Sequence, residues 1–340
     1  MTQQAFPRGP NDIQAAVVNL VRRLAPSVPV AHQPGLAGRI AEVIASRPST
    51  MANDMFLRQS LIRGGTATRA QVVDGLAAWV TVLFDIDNLQ HDRRRALDLK
   101  VDMPDEALDR LARALSRSCN GCIVAVPHIG GIELFASHLK DRGFDFSFVY
   151  TIGNEPTPLE QWIYRGRSAT GGTPIAFGRP STGFEIAKVL RGNGIVLMVV
   201  DVYPTAKYSG IRISIHGDAF NYPPGPARLA ETGTLVLPAF ASRRDAQGFS
   251  MSILDPIDYR PSPVLHEAAT DFSQRLASRT AGFSAERPES YWLWHPIPND
   301  PYLAIARRKR PDLLELVAAQ LPDDEAVAVA VEEAGTSSLT

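Results

Sequence analysis

A buried strand that turns sharply into a helix is encoded by residues 121–135, GCIVAVPHIGGIELF. The apolar run Gly121–Val126 is typical of a strand that is buried on both faces of a parallel sheet. Pro127 and His128 follow at once, two glycines turn the chain, and apolar residues resume at helical spacing from Ile132. The stretch therefore predicts a strand-to-helix unit with a histidine at the carboxyl end of the strand, where open α/β sheets bind their ligands.

The same alternation of helices and short apolar strands continues on both sides of this unit, and it predicts an α/β fold with helices on both faces of the sheet. The stretch Tyr164–Gly183 is rich in glycine and is predicted to be a long mobile loop. From Pro104 onward, the predicted helices are Asp105–Arg117, Ile132–Arg142, Phe184–Arg191 and Ala227–Glu231, and the predicted strands are Gly121–Val126, Phe146–Thr151, Ile195–Val200, Arg212–Ile215 and Leu235–Phe240.

The first hundred residues are predicted to be helical. Asp12–Leu24 is amphipathic, and its apolar face either packs on the core or rests on a membrane surface. Arg69–Phe84 is apolar on most sides and is predicted to be buried. Because no linker divides the chain, we predict one domain overall, with a helical N-terminal cap over residues 1–103, an α/β core over 104–321 and a disordered acidic tail over 322–340.

Composition excludes several classes of protein. Of the 340 residues, 45% are hydrophobic and 21% are charged, as in ordinary soluble proteins. The formal charge is −1, and since the charges of residues 322–340 are all acidic, the rest of the chain is mildly positive. This balance suits acidic small groups or carrier proteins and is too weak for nucleic acid. Without a recognisable secretory signal, a run long enough to span a membrane or a disulfide framework, the chain is expected to be cytoplasmic.

His128 and Glu133 form the first candidate site. Glu133 lies in the first turn of the predicted helix, and its carboxylate can fold back onto the imidazole. A carboxylate on one ring nitrogen fixes the tautomer and makes the other nitrogen a general base. The alternative is a histidine that caps a turn, with Glu133 favoured only by the helix N-terminus. Asp201 follows the strand Ile195–Val200 and is expected at the same sheet edge if the two strands are parallel, or else caps the next turn.

Other candidate sites rest on arginines and cysteines. Arg165 and Arg167 suit phosphate, carboxylate or oxyanion recognition, and the alternative is a solvated loop. The basic residues 307–310 are either a solvated helix face or a contact for a carrier protein. Cys119 and Cys122 have no second metal-binding pair, so two buried thiols are expected rather than a zinc or redox site. No nucleotide-binding glycine motif occurs, and neither a metal nor a cofactor is predicted.

In order along the chain, these blocks resemble a known family. His128 and Glu133 after a Val-Ala-Val-Pro strand resemble the first motif of the lysophospholipid acyltransferase superfamily. Within it, the likeness is to the bacterial lipid A late acyltransferases and the related phosphatidylinositol mannoside acyltransferases, and it covers roughly residues 70–310. The further blocks are Tyr164–Arg167, Gly194–Asp201, Gly225–Ala230, Leu237–Arg243 and Trp292–Pro296.

This resemblance implies helices on a mixed sheet and acyl transfer from a thioester, carried by acyl carrier protein or coenzyme A, directly to a hydroxyl or amine. It implies that His128 is the general base and that Glu133 is its orienting partner. It further implies an apolar trough for the acyl chain, lined by Ile132–Leu139 and Leu235–Phe240. Substrate-binding roles are implied for Arg165, Arg167, Asp201 and Arg243.

Our hypothesis is a soluble or peripheral acyltransferase with a small or carrier-tethered acceptor, in the biosynthesis of a specialised metabolite or a glycolipid. One alternative is a thioesterase that uses the same histidine and glutamate to activate water. The other is a non-catalytic protein that binds acyl groups or their carrier, because the fold alone does not separate these functions.

Overall fold

The computed structural model describes residues 12–47, 49–93, 100–151, 158–202, 210–245, 248–291, 301–318 and 324–337. The helices are α1 (Asp12–Leu24), α2 (Gln33–Ala45), α3 (Thr50–Arg63), α4 (Arg69–His91), α5 (Asp105–Arg117), α6 (Ile132–Asp141), α7 (Pro158–Ala169), α8 (Thr182–Arg191), α9 (Gly225–Glu231), α10 (Leu265–Glu286), α11 (Pro301–Lys309), α12 (Pro311–Ala318) and α13 (Asp324–Ser337). The strands are β1 (Lys100–Asp102), β2 (Cys122–Val126), β3 (Phe146–Thr151), β4 (Thr173–Phe177), β5 (Ile195–Val199), β6 (Ile211–Ile215), β7 (Asp218–Tyr222), β8 (Leu235–Asp245) and β9 (Gly248–Ile253).

A seven-stranded sheet lies at the centre, in the order β1-β9-β8-β2-β5-β3-β4. Its neighbouring strands are parallel except for β8 and β9, which are antiparallel. The predicted α/β fold with a mixed, mostly parallel sheet is therefore confirmed. Strand β6, which the sequence placed in the same series, pairs instead with β7 in a separate antiparallel sheet of two strands.

Helices cover both faces of the central sheet. All five residues of β2 are buried, and successive side chains of a strand point to opposite faces. Val124 packs in one core cluster with residues of α5 and α6, whereas its neighbour Ile123 packs in a second cluster with residues of α8 and α10. Burial on both sides explains why β2 and β5 appear in the sequence as continuous apolar runs.

The N-terminal helices α1, α2 and α4 share one hydrophobic cluster. The apolar face of α1 is fully enclosed there, since Ile13, Val17, Leu20, Val21 and Leu24 are at most 3% exposed. Of the two expectations for this helix, packing on the core is the one that the structure supports. Among the described residues, no helix is both long and apolar enough to cross a membrane.

Helix α13 completes this bundle from the other end of the sequence. Its residues Val327, Ala328 and Val331 are buried against α1 and α2. The carboxylate of Asp324 also accepts a hydrogen bond from the backbone N–H of Thr50, at the start of α3 (2.8 Å). The prediction of a disordered tail is therefore wrong over Asp324–Ser337, because a narrow stripe of small apolar residues anchors the helix. The boundary between residues 103 and 104 stays a prediction.

The predicted mobile loop Tyr164–Gly183 is also wrong, because the segment contains the end of α7, all of β4 and the start of α8. Two of its glycines allow close packing. A Cβ on Gly166 would lie 2.5 Å from Cγ2 of Ile86 on α4, and a Cβ on Gly172 would overlap the ring of Phe146. Glycine here reflects crowding between elements and not freedom of the backbone.

Candidate active site

Two residues that follow adjacent strands meet at the carboxyl edge of the sheet. Strands β2 and β5 are parallel neighbours, with Val126 opposite Val199. The N–H of Val200 donates to the carbonyl of Val126 (3.1 Å) and extends the pairing by one residue. His128 and Asp201 each lie two residues beyond the end of their strand. The parallel register therefore carries both side chains to the same height.

Asp201 binds His128 through both oxygens of its carboxylate. Oδ1 accepts a hydrogen bond from Nδ1 of the ring and Oδ2 accepts one from the backbone N–H of His128, each at 2.7 Å. Asp201 is fully buried and His128 is 7% exposed. Because an ionised carboxylate only accepts hydrogen bonds, Nδ1 carries the ring proton, and Nε2 is the nitrogen that can take a proton from a substrate. The same carboxylate can stabilise the imidazolium that results.

A buried phenol lies near Asp201. Burial, followed by the negative charge of Asp201, raises the pKa of Tyr222 well above its ordinary value. Tyr222 ends β7 and is 1% exposed, so the surroundings of the carboxylate contain a neutral ring that excludes water. Periodicity in the sequence does not predict this neighbour, because Tyr222 belongs to the separate β6–β7 hairpin and not to the strand that Asp201 follows.

Glu133 has a different partner from the expected one. It is the second residue of α6 and is 2% exposed, and its Oε1 accepts a hydrogen bond from Nε of Arg167 (3.1 Å). The other oxygen, Oε2, is buried and makes no hydrogen bond to the part of the chain that the structure describes. The carboxylate on Nδ1 of His128 is that of Asp201. Spacing alone suggested Glu133 for this place, but the axis of α6 directs its side chain toward α7.

The two arginines of α7 lie on different faces of that helix. Residues two apart on a helix are about 200° apart around its axis. Arg167 faces Glu133, and its side chain is 19% exposed. Arg165 is exposed near α1, where burial lowers the pKa of Arg22 and the positive charge of Arg165 lowers it further. The two therefore do not form the joint anion site that a flexible loop would have allowed.

The glycine turn after His128 is held tightly between strands. Gly130 has φ +64°, and a Cβ there would overlap the carbonyl of Ala241 on β8. A Cβ on Gly131 would lie 2.7 Å from the ring of Phe249. The N–H of Gly130 donates to the carbonyl of Ser290 (2.9 Å). Only glycines allow the turn to pass this close to β8 and β9, and the close fit fixes where His128 leaves its strand.

A cavity of about 420 Å³ lies between α4 and this turn. The expected acyl trough is not part of it, because most apolar side chains of Ile132–Leu139 and Leu235–Phe240 pack together in the core. Three carboxylates line the cavity, and of these Asp85, 2% exposed, is the buried one. The cavity is lined by Pro34 and Gly35 of α2, by Asp74, Ala77, Ala78, Thr81, Val82 and Asp85 of α4, and by Gly130, Gly131, Phe249, Glu289 and Ser290.

The cysteines and acidic residues do not form a metal site. In the described ranges, no group of three histidine, cysteine, aspartate or glutamate residues is placed to hold a metal ion. Both are free thiols, but the prediction that both are buried is wrong for Cys119, which is exposed, whereas Cys122 is buried. Burial raises the pKa of Cys122 to about 12, which keeps it protonated and unreactive at neutral pH.

The basic residues 307–310 are all engaged within the chain. Arg308 and Lys309 pair with Asp218, while Arg307 pairs with Asp54 and Arg310 with Asp312. Of the two expectations for this segment, a solvated helix face with internal ion pairs agrees better with the structure than a carrier contact.

Two of the sequence blocks that carry the family resemblance are the strand block that ends at Arg243 and the aromatic block near the end of the chain. Arg243 is a residue of β8, opposite Phe249 of β9. The aromatic segment Trp292–Pro296 lies outside the described residues.

Comparison with known proteins identifies the family. The family model described as bacterial lipid A biosynthesis acyltransferase matches residues 69–297, well over half of the chain. A phosphatidylinositol mannoside acyltransferase from Mycolicibacterium smegmatis is 24% identical over 263 residues, which cover 77% of this chain and 78% of that protein. The matched region contains the whole sheet and both residues of the His128–Asp201 pair. The chain therefore belongs to the bacterial lipid A biosynthesis acyltransferase family and is an acyltransferase.

Proposed function

We propose that the protein transfers an acyl group from a thioester, carried by coenzyme A or acyl carrier protein, directly to a hydroxyl or amine, with His128 as general base. The double hydrogen bond between His128 and Asp201 carries this proposal. A buried carboxylate that holds Nδ1 leaves Nε2 in the tautomer that proton abstraction needs. The pair lies at the carboxyl edge of parallel strands, where sheets of this kind bind substrates.

In the proposed reaction, Nε2 of His128 takes the proton of the acceptor hydroxyl while the acceptor oxygen attacks the thioester carbonyl carbon. The bond between carbon and sulfur then breaks, and the departing thiolate receives that proton from the imidazolium. Asp201 stabilises the imidazolium between the two steps. No acyl group is bonded to the protein at any stage, so the reaction needs no nucleophilic serine or cysteine.

We assign Arg167 to an anionic group of the donor or the acceptor. Its Nε is held by Glu133, which fixes the plane of the guanidinium and makes Glu133 a positioning residue. Arginine has four further N–H donors on Nη1 and Nη2, and they suit a phosphate or a carboxylate. Coenzyme A and the phosphopantetheine arm of a carrier protein both present phosphate. Substrate-binding roles for Arg165 and Arg243 stay predictions from the resemblance.

A glycolipid hydroxyl is the first acceptor to test. The relative from Mycolicibacterium smegmatis is named for phosphatidylinositol mannoside, a glycolipid, and its alignment covers more than three quarters of this chain. An acceptor from specialised metabolism is the second choice. The proposal places the reaction in the cytoplasm, either in solution or peripherally at the inner face of the membrane.

The test measures thiol release from acyl-coenzyme A and acyl carrier protein thioesters of several chain lengths, with and without phosphatidylinositol mannoside. Mass spectrometry identifies the acylated product. We expect release that depends on the acceptor and that disappears in the His128→Ala variant while thermal unfolding is unchanged. Equal release without any acceptor would establish a thioesterase instead. Thioester binding without turnover would replace the proposal with a non-catalytic binding protein.

The role of Arg167 is tested separately from the chemistry. Arg167→Ala is expected to raise KM for the phosphate-bearing donor or acceptor at least tenfold and to change kcat by less than about threefold, because binding is lost in ground state and transition state alike. Arg110→Ala is the matched control, since Arg110 is also partly buried and paired with a glutamate, Glu106. A fall in kcat with KM unchanged would remove Arg167 from the substrate site.

A further inference from the structure

Two phenylalanines stand on one exposed turn at the end of the sheet. Phe177 is the last residue of β4 and is 56% exposed, and Phe184 lies in the first turn of α8 and is 68% exposed. They are the two most exposed large hydrophobic residues that the structure describes. A single exposed phenylalanine is ordinary, but two on one turn are typical of a surface that binds something, so the turn requires an explanation.

Hydrogen bonds hold this turn in a fixed shape. The hydroxyl of Thr182 donates to the carbonyl of Ala176 (2.7 Å) and accepts from the N–H of Arg179 (3.1 Å). Thr182 itself is 7% exposed, while its neighbours on both sides are exposed. Phe177 and Phe184 are therefore carried by one hydrogen-bonded turn at the end of β4.

Two basic side chains lie near the rings in the fold. Arg179 lies on the turn, and Lys188 lies one helical turn after Phe184, on the same face of α8. Both are exposed, and neither makes an ion pair with a residue that the structure describes, in contrast to the paired basic residues 307–310. Glu185 is the single acidic residue of segment 177–188, which carries a net charge of +1.

The turn lies at the same edge of the sheet as the candidate active site. Phe177 is opposite Thr151 of β3, at the level of the sheet where β2 and β5 also end. Strand β4 is three strands away from β2. At about 4.8 Å per strand, the base of the turn is roughly 14 Å from the end of β2, which leads into His128.

We propose that this edge patch, formed by Phe177, Arg179, Phe184 and Lys188, docks onto the surface of an anionic phospholipid bilayer. Aromatic rings enter the boundary between headgroups and acyl chains, and lysine and arginine meet the lipid phosphates. A protein partner would bury about 800 Å² on each side through roughly 20–30 residues, whereas this patch consists of four residues. Docking in this way turns the edge that carries His128 toward the membrane surface.

The test is flotation of the purified protein with phosphatidylcholine vesicles that contain or lack about 30% phosphatidylglycerol, an anionic lipid. We expect binding to the anionic vesicles that weakens at high salt. The Phe177→Ser/Phe184→Ser variant is expected to bind at least about tenfold more weakly, since burying a phenylalanine contributes one to two decades. Arg179→Ala and Lys188→Ala are each expected to weaken binding about fivefold.

Matched controls separate a local effect from a general one. Leu316→Ser removes a side chain that is also more than half exposed, and Arg113→Ala removes an exposed arginine of α5; both variants are expected to bind like the wild type. His128→Ala is expected to bind vesicles normally, so the result does not depend on the proposed reaction. Absence of wild-type binding, or equal binding by the double phenylalanine variant, would overturn the proposal. So would loss of affinity for acyl carrier protein, and not for vesicles, in that variant.

Discussion

Replacing Asp201 with asparagine tests the central feature of the site with almost no change in shape. The amide oxygen can still accept from the backbone N–H of His128, but the amide nitrogen then faces Nδ1 as a donor. This arrangement favours the ring tautomer with the proton on Nε2, where it blocks proton abstraction. The substitution also removes the negative charge that stabilises the imidazolium.

The expected loss follows from the geometry of the pair. With the hydrogen bond at 2.7 Å, the two charge centres lie about 4 Å apart, and at an effective dielectric constant of 20 their attraction is about 4 kcal/mol. Loss of that attraction in the transition state lowers kcat about a thousandfold. The change in KM is expected to be less than about threefold, because the carboxylate of Asp201 is fully buried and both of its oxygens are bonded to His128.

The assay is thiol release at saturating donor and acceptor, with thermal unfolding measured in parallel. Asp218→Asn is the control, because the carboxylate of Asp218 pairs with Arg308 and Lys309 and has no part in the proposed reaction. Its kcat should stay within about twofold of the wild-type value. Glu133→Gln provides the decisive contrast. If Glu133→Gln abolished turnover while Asp201→Asn retained a tenth of it or more, Glu133 would be the orienting partner after all and our reasoning from the hydrogen bonds would be refuted.

Three further predictions concern packing and reactivity. Gly166→Ala should lower the free energy of unfolding by about 1–3 kcal/mol, because its Cβ meets Ile86, whereas Gly38→Ala, with open space around it, should raise it by up to about 1 kcal/mol; urea unfolding measures both. Val327→Ala should cost about 2 kcal/mol by the same method and Val329→Ala, 38% exposed, under about 0.5 kcal/mol, and equal costs would contradict the packing of α13. A thiol reagent at pH 8 should label one cysteine in the native protein and two in denaturant, because burial raises the pKa of Cys122 to about 12; two rapid native labels would contradict this.

The pattern of apolar residues in the sequence was sufficient to predict the strands that position the site. The runs at β2 and β5 are continuous because both faces are buried, and their lengths left little choice between strand and helix. The placement of His128 and Asp201 at one edge followed from the parallel order of β2 and β5. Their direct contact did not, because hydrogen-bond partners depend on distances of a few tenths of an ångström.

Two errors have a common physical origin in small residues. Gly166 and Gly172 suggested a loop, yet each is small because another element packs against it. The acidic residues of the segment 322–340 suggested a disordered tail, yet Val327, Ala328 and Val331 form a buried helical face. Small side chains carry a weak periodic signal, so the contacts they permit become visible only when the neighbouring element is in place.

The pairing of α1 with α13 has a consequence for biosynthesis. Of the helices described, α1 leaves the ribosome first and α13 leaves it last, and the two pack against each other. At about 5–20 residues per second, synthesis of the intervening chain takes roughly 15–60 s. During this interval part of the apolar face of α1 has no permanent neighbour. The apolar face of α1 is thus completed only after α13 has left the ribosome.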